Sequence, residues 1–213
     1  MVVCPNCGTP FTRPGFEIQK NKLLIVEGKD EEEFFSALIA GLSLKGIQVA
    51  GIGGKTKIRQ NLKALVRRPS FPRVEVLGVI RDADADPKSA FQSVRDALAA
   101  AELPAPKKPL QPAKGPPRVN VMILPSSEKK GALEDLCLDA VAQDRAKVCI
   151  DEFFECLQEK EVRIPREMSK ARVRVFLSSR EDPTLALGLA ATKGYWPFES
   201  SAFEPLRQFL MSL

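Results

Sequence analysis

Histidine is absent from the 213-residue sequence, which excludes every mechanism that needs an imidazole. These mechanisms include Ser-His-Asp and Cys-His hydrolysis, HExxH zinc sites and transfer through phosphohistidine. Tyrosine occurs once, at Tyr195, so the chain has little to offer as a tyrosine nucleophile. If the protein is an enzyme, its catalysis must use carboxylates, lysine, serine, cysteine or a bound metal ion.

Long apolar runs and a secretion signal are also missing. No run approaches the roughly 20 apolar residues that span a bilayer, and the first ten residues lack the charged and apolar regions of a signal peptide. Five cysteines are an odd number for a disulfide framework. These features predict a cytoplasmic protein with reduced thiols and no membrane partner. A net charge of +5 is by itself a weak indication of an anionic partner.

Two of the cysteines are spaced as in a zinc knuckle. Cys4 and Cys7 enclose a Pro-Asn turn in which two thiolates can bind one Zn²⁺. A tetrahedral site needs four ligands, and the other three cysteines lie far along the chain in apolar helical contexts. A bound zinc would therefore recruit those cysteines across the fold or be shared with a second chain in a homodimer. The alternative is a remnant knuckle or free thiols.

From residue 22 onward, short apolar runs alternate with helical periodicity. Strands are predicted over 22–27, 47–51, 74–80 and 119–124. Helices are predicted over 30–41, 55–68, 87–102 and 131–143. This alternation predicts the α/β class, with a four-stranded parallel sheet flanked by helices on both faces.

The chain divides into three predicted segments. Residues 1–19 form the knuckle-like segment, 20–143 the α/β domain, and 144–213 a helical extension packed on its core, with helices over 146–159, 165–178 and 204–213 and an ambiguous stretch over 186–197. Within the domain, residues 103–118 contain six prolines, four basic residues and no acid. This composition predicts an extended, solvated loop.

Acidic residues gather where the predicted strands end. Glu27 ends the first strand, Asp82, Asp84 and Asp86 follow the third, and Glu134 follows the fourth. The carboxyl ends of parallel strands share one edge, where converging carboxylates repel one another unless a cation joins them. Oxygen ligands suit Mg²⁺ or Mn²⁺, and alternate residues such as Asp82 and Asp84 point the same way in an extended segment. The alternative is a polar cap on the next helix.

A further acidic run, residues 30–33 (DEEE), lies in the first turn of a predicted helix. The helix dipole favours negative charge at that end. We interpret this run as structural.

A basic stretch follows the second predicted strand. Residues 53–56 (GGKT) resemble part of a Walker A loop, but that pattern needs glycine where Val49 stands. What remains is a glycine turn that opens a helix, with backbone N–H groups and Lys55 directed at an anion. Residues 55–73 carry seven basic residues and no acid, which suits a phosphate backbone, and a solvated helix face is the alternative. The candidate nucleic-acid contacts are Lys55, Lys57, Arg59, Lys63 and Arg67.

Residues 23–30 (LLIVEGKD) and the later Asp82-Ala83-Asp84 together resemble the signature of the Toprim domain. That domain is shared by topoisomerases, bacterial primases, OLD-family nucleases and ribosomal-RNA maturation nucleases. The VEGKD motif followed by an acidic, Phe-rich helix is most similar to the last two branches, and the resemblance covers about residues 20–143. It implies a four-stranded parallel sheet in which Glu27 is an acid/base or metal ligand and Asp82 and Asp84 hold Mg²⁺. Glu134 resembles the further acidic residue of OLD-type nucleases.

These expectations favour a metal-dependent nuclease acting on DNA or RNA. Asp82 and Asp84, with Glu134 or Asp86, would bind one or two Mg²⁺ or Mn²⁺. The expected catalytic side chains are Glu27, which would move the proton, and Lys55, which would hold the phosphate backbone beside it.

Other activities remain to be weighed against this one. Topoisomerase activity is not expected because the separate tyrosine domain is lacking, and an OLD-type ATPase would need a Walker A motif. One alternative is a nucleic-acid-binding or regulatory module with a vestigial site, dimerised through Cys4 and Cys7. Another is a D-x-D phosphatase or phosphotransferase with Asp82 as nucleophile, against which the Glu-Gly motif on the first strand argues.

Overall fold

Four short runs rich in valine, leucine and isoleucine form a parallel sheet in the computed structural model, which describes residues 16–213. The strands are β1 (Lys22–Val26), β2 (Ile47–Gly51), β3 (Val76–Asp82) and β4 (Arg118–Leu124). They lie in the order β2-β1-β3-β4, and every pair is parallel. The central strands β1 and β3 are buried along almost their whole length, as expected where helices cover both faces of a sheet. The predicted fold class is confirmed.

Eight helices surround the sheet in the described part of the chain. They are α1 (Lys29–Gly41), α2 (Ile58–Val66), α3 (Pro87–Ala100), α4 (Leu133–Ala140), α5 (Arg145–Glu159), α6 (Met168–Ser178), α7 (Leu187–Thr192) and α8 (Glu204–Ser212). Helices α2 and α3 pack on one face of the sheet, and the other six share an apolar cluster on the opposite face. Successive residues of β1 alternate between the two clusters, as the period of a strand requires.

Some element bounds differ from those predicted. The third strand was expected to end at residue 80 but continues to Asp82, because β3 pairs with β4 as far as Leu124. Asp82 therefore belongs to the sheet and not to the loop after it. The helix predicted over 55–68 begins as a 3₁₀ turn (Lys55–Lys57) before α2, and the ambiguous stretch over 186–197 contains α7.

The proline-rich segment 103–118 is a loop, as its composition predicts, and it also pairs with the edge strand β4. Leu110 donates its backbone N–H to Val121 of β4 at 2.9 Å, and Ala113 exchanges backbone hydrogen bonds with Val119 at 2.8 and 3.1 Å. Without this segment, β4 would leave a row of unpaired backbone groups at the edge of the sheet. The segment therefore covers an edge that would otherwise be open to pairing with another chain.

Cys4 and Cys7 lie outside the described residues, so the zinc hypothesis stays a prediction. Of the other cysteines, Cys137 is buried, whereas Cys149 and Cys156 are exposed, and all three are free thiols. None of the helices between residues 16 and 213 is long and apolar enough to cross a membrane.

Candidate functional site

A cavity of about 530 Å³ opens at the carboxyl edge of the sheet, where β1 and β3 end. Its lining residues are Glu27, Lys29, Asp30, Glu31, Gly54, Asp82, Asp84, Leu133, Glu134, Lys170 and Leu187. Among these residues carboxylates outnumber ammonium groups six to two. We refer to this space as the acidic cavity.

Glu27 follows directly on the last residue of β1 and reaches across to β3. One of its carboxylate oxygens accepts the backbone N–H of Asp82 at 3.3 Å and lies 3.7 Å from Nε of Arg81. Burial raises the pKa of Glu27, the charge of Arg81 opposes that rise, and the nearby carboxylate of Asp84 adds to it. A raised pKa makes the Glu27 carboxylate a stronger base than an exposed glutamate.

Asp82 is the last residue of β3 and points at the start of α4. One of its carboxylate oxygens accepts the backbone N–H of Leu133 at 3.1 Å, so the positive end of the helix dipole faces this carboxylate. Burial above all, and then the charges of Glu27 and Glu134, raise the pKa of Asp82 to about 8. Neighbouring carboxylates of this kind repel one another, and a cation beside them would relieve that repulsion.

Asp84 is held in a left-handed backbone conformation, with φ at +52°. Its N–H and C=O both form 2.9 Å hydrogen bonds with the backbone of Gly131, in the loop that follows β4. At Gly131, where φ is +135°, a Cβ atom would lie 2.6 Å from a carboxylate oxygen of Asp135. The loops after β3 and β4 are thus tied together, and strained backbone of this kind is common at functional sites.

Glu134 and Lys170 approach the acidic cavity from α4 and α6. Burial raises the pKa of Glu134, and a 2.9 Å contact with Glu167 raises the pKa of Lys170, helped by the charges of Glu134 and Asp82. The hydroxyl of Ser169 donates to Asp135 and so joins α6 to α4 beside these residues. No motif in the sequence indicates Lys170, because only the packing of α6 brings it to the site.

The acidic run 30–33 is only partly explained by the helix dipole. Asp30 and Glu31 line the acidic cavity, whereas a carboxylate oxygen of Glu32 accepts the backbone N–H of Gly51 at 3.2 Å. Because α1 begins directly after β1, its first turn stands at the same edge of the sheet as Glu27. Glu31 therefore joins the candidate ligands, although nothing in the sequence distinguishes it from its acidic neighbours.

Asp86 is not brought together with the other carboxylates. It is the N-cap of α3, where its side chain accepts the backbone N–H of Lys88 at 3.0 Å and the hydroxyl of Ser89. These hydrogen bonds, that from Ser89 above all, lower the pKa of Asp86. The capping interpretation describes this residue, and we leave it out of the candidate ligand set.

The basic residues of the 3₁₀ turn and α2 lie outside the acidic cavity. Lys57, Arg59, Lys63 and Arg67 are exposed, and the side chain of Lys55 lies outside the described part of the structure. Gly54, which donates its backbone N–H to the carbonyl of Glu27 at 2.8 Å, is the point where this basic segment reaches the cavity wall.

The donor set matches a hard divalent cation in chemical type. Mg²⁺ is commonly held by one or two carboxylates, with water and substrate phosphate completing its shell. Within residues 16–213 no three potential ligand side chains converge closely enough to enclose an ion. The raised pKa of Asp82 nevertheless marks a carboxylate that a cation would stabilise in its charged form. A cation here would be bound by one or two side chains and remain open to water and phosphate.

Residues 21–213 match a protein family described as "Protein of unknown function (DUF3226)". No curated protein matches the sequence. Among solved structures, the C-terminal region of the Burkholderia pseudomallei OLD protein is 14% identical, with 92% of this chain and 97% of that chain covered and a TM-score of 0.44. The C-terminal region of the Xanthomonas campestris pv. campestris OLD protein is 15% identical, with 82% and 91% covered and a TM-score of 0.42.

Similarities at this low identity concern the fold alone. The chemistry of the site depends on this protein's own residues. The family match, in contrast, covers the sequence from just before β1 to the last residue. The chain therefore belongs to the DUF3226 family.

Proposed function

We propose that the protein is a metal-dependent phosphodiesterase of the Toprim type that acts on DNA or RNA. The observation that carries this proposal is the meeting of Glu27, Asp82, Asp84 and Glu134 at one cavity on the carboxyl edge of the sheet. Burial raises the pKa of Glu27, Asp82 and Glu134. They also include the Glu-Gly and Asp-x-Asp residues that resemble the Toprim signature.

Each side chain has a distinct part in the proposed mechanism. Asp82 and Asp84 would hold the cation, and Glu134 and Glu31 would supply its further ligands. When bound, Mg²⁺ or Mn²⁺ polarises the scissile phosphate and lowers the pKa of the attacking water. Glu27 accepts the proton of that water, because burial keeps its carboxylate basic enough to do so.

Lys170 is the cation that this chain itself supplies to the reacting phosphate. We expect Lys170→Met to lower the rate of cleavage about 100-fold, since a donor directed at developing negative charge has an effect of that order. Affinity for Mn²⁺, measured by calorimetry, should remain, because a metal ligand is not removed. Arg174→Ala is the matched control: this exposed cation lies one turn along α6 and does not line the cavity. Equal rates for Lys170→Met and wild type would remove Lys170 from the mechanism.

Four exposed basic residues of the 3₁₀ turn and α2 are proposed to bind the phosphate backbone of the substrate. We refer to them as the basic row: Lys57, Arg59, Lys63 and Arg67. For the double variant Lys63→Gln/Arg67→Gln, we expect the slope of log affinity against log salt concentration to fall by about 2 on duplex DNA, since each phosphate contact contributes about 0.9. Lys107→Gln/Lys108→Gln removes the same charge from exposed positions outside the row and should leave the slope unchanged. Identical slopes for the two double variants would show that α2 is simply a solvated face.

The direct test of the proposed activity is a cleavage assay on labelled single- and double-stranded DNA and RNA. Each substrate is incubated with wild-type protein in Mg²⁺, in Mn²⁺ or in EDTA. We expect products from at least one substrate in the presence of a divalent cation and none in EDTA. Products that form equally in EDTA would contradict a metal-dependent mechanism.

A nucleic-acid-binding or regulatory module is the second candidate. The observation that favours it is that no three potential ligand side chains among residues 16–213 converge to enclose an ion. This function predicts salt-sensitive binding of the same nucleic acids without product from any of them. The cleavage assay and a binding titration on one set of substrates separate the two candidates.

A further inference from the structure

A second cavity, of about 600 Å³, lies between α2 and α3 on the face of the sheet opposite α1 and α4. Thr56 and Arg59 line one wall, Ser89 and Ser93 line the other, and Arg81 of β3 reaches it from the sheet. We refer to this space as the α2–α3 groove. It is separated from the acidic cavity by the turn that runs from Gly54 to Thr56, whose two ends line different cavities.

The groove offers positive charge and hydroxyl groups. Arg59 is exposed, and Thr56 and Ser93 line the groove with hydroxyl-bearing side chains. One acid also lines the groove, Asp96, and its carboxylate accepts a 2.7 Å hydrogen bond from the amide of Gln92. Among the charged residues that line the groove, two arginines, Arg59 and Arg81, stand against this one acid.

Arg81 connects the groove to the acidic cavity. Arg81 is only 8% exposed and lines the groove. Its Nε atom lies 3.7 Å from the carboxylate of Glu27. A buried guanidinium is costly unless anions surround it. The planar fork of arginine donors matches the oxygens of a phosphate group. Two arginines with nearby hydroxyls form the kind of site that binds phosphate.

We infer that the α2–α3 groove is a phosphate-binding subsite. The phosphate comes from the backbone of the nucleic acid, beyond the scissile group, or from a free phosphate ion. The backbone source rests on the proposed function, because it assumes that a strand passes from the acidic cavity over the Gly54–Thr56 turn. The subsite itself requires no cleavage.

The test measures binding in EDTA, so that its outcome does not depend on catalysis. The probes are inorganic phosphate and a labelled single-stranded decanucleotide without terminal phosphates. Arg59→Gln should weaken the binding of inorganic phosphate about tenfold, as expected for the loss of one charge-assisted partner. The matched control is Lys107→Gln, which removes one positive charge from an exposed position outside both the groove and α2, and should change the affinity for phosphate less than twofold.

The two probes identify the source of the phosphate. If inorganic phosphate displaces the decanucleotide from wild type but not from Arg59→Gln, the groove holds a backbone phosphate. If phosphate binds without displacing the decanucleotide, the groove serves a free ion. Equal phosphate affinity in Arg59→Gln and Lys107→Gln, or no phosphate binding to wild type, would overturn the subsite. Groove binding in a protein that cleaves no substrate would overturn the proposed activity and leave the subsite standing.

Discussion

In EDTA the protein should become less stable as the pH rises from about 4 to about 8, and Asp82→Asn should remove most of that loss. The folded state raises the pKa of Asp82 from 3.8 to about 8, so it binds this proton more tightly than the unfolded chain does. The resulting stability is fully present below pH 3.8 and is lost as the pH rises through the folded pKa. We expect a loss on the order of 3 kcal/mol, less than the full shift implies, because Asp82 is partly open to water.

Urea unfolding at pH 5 and pH 9 measures this effect. Asp86→Asn is the matched control: the substitution is the same and lies in the loop directly after β3, but the pKa of Asp86 is lowered, so its contribution to stability is lost only at acidic pH. Adding Mg²⁺ at pH 9 should raise the free energy of unfolding of the wild-type protein, because the ion binds the folded state. The same addition should raise the free energy of unfolding of Asp82→Asn by less. Parallel stability curves for wild type and Asp82→Asn would contradict the buried acidic cluster.

Gly188→Ala should destabilise the protein by about 3 kcal/mol, because α7 crosses α1 where no Cβ fits. A Cβ at Gly188 would lie 2.3 Å from the backbone carbonyl oxygen of Asp30 and 2.7 Å from Cβ of Glu33. Neither atom can move away by a side-chain rotation, so α1 must shift. Since α1 also carries Glu31 into the acidic cavity, affinity for Mn²⁺ should fall together with stability.

Denaturant unfolding and calorimetry with Mn²⁺ test this second effect. Leu189→Ala is the control, since it alters the next residue of α7, whose side chain is 42% exposed. That variant should stay close to wild type in both measurements. If Gly188→Ala were as stable as Leu189→Ala, α7 would not approach α1 as closely as the structure shows.

The fold is predictable from the sequence because its signals are local. The apolar run 47–51 is β2 with the same ends, and the proline at residue 87 opens α3 as a first-turn proline should. The composition of the loop 103–118 predicts an extended connection but not its pairing with β4, because composition describes only the loop's own residues. Its backbone partners on β4 belong to another part of the chain.

The candidate site is predictable only where topology alone places a residue. Glu27 and Asp82 stand at the ends of parallel strands, and parallel strands bring those ends to one edge. Lys170 could not be found in this way, because it arrives through the packing of α6 on α4. Asp86 misled the prediction, because an aspartate that caps a helix and one that faces a cavity look alike in a D-x-D-x-D sequence.

The central claim is that Asp82 acts as part of a metal-binding cavity and not as one more acid in a polar loop. The measurement that tests it most directly is the initial rate of cleavage against Mg²⁺ concentration for wild type, Asp82→Asn and Asp86→Asn. We predict no Mg²⁺-dependent product from Asp82→Asn. Asp86→Asn should cleave at a rate close to wild type, because asparagine caps a helix as well as aspartate does and residue 86 does not line the acidic cavity. Cleavage by Asp82→Asn at the wild-type rate, or equal loss in both variants, would contradict the account.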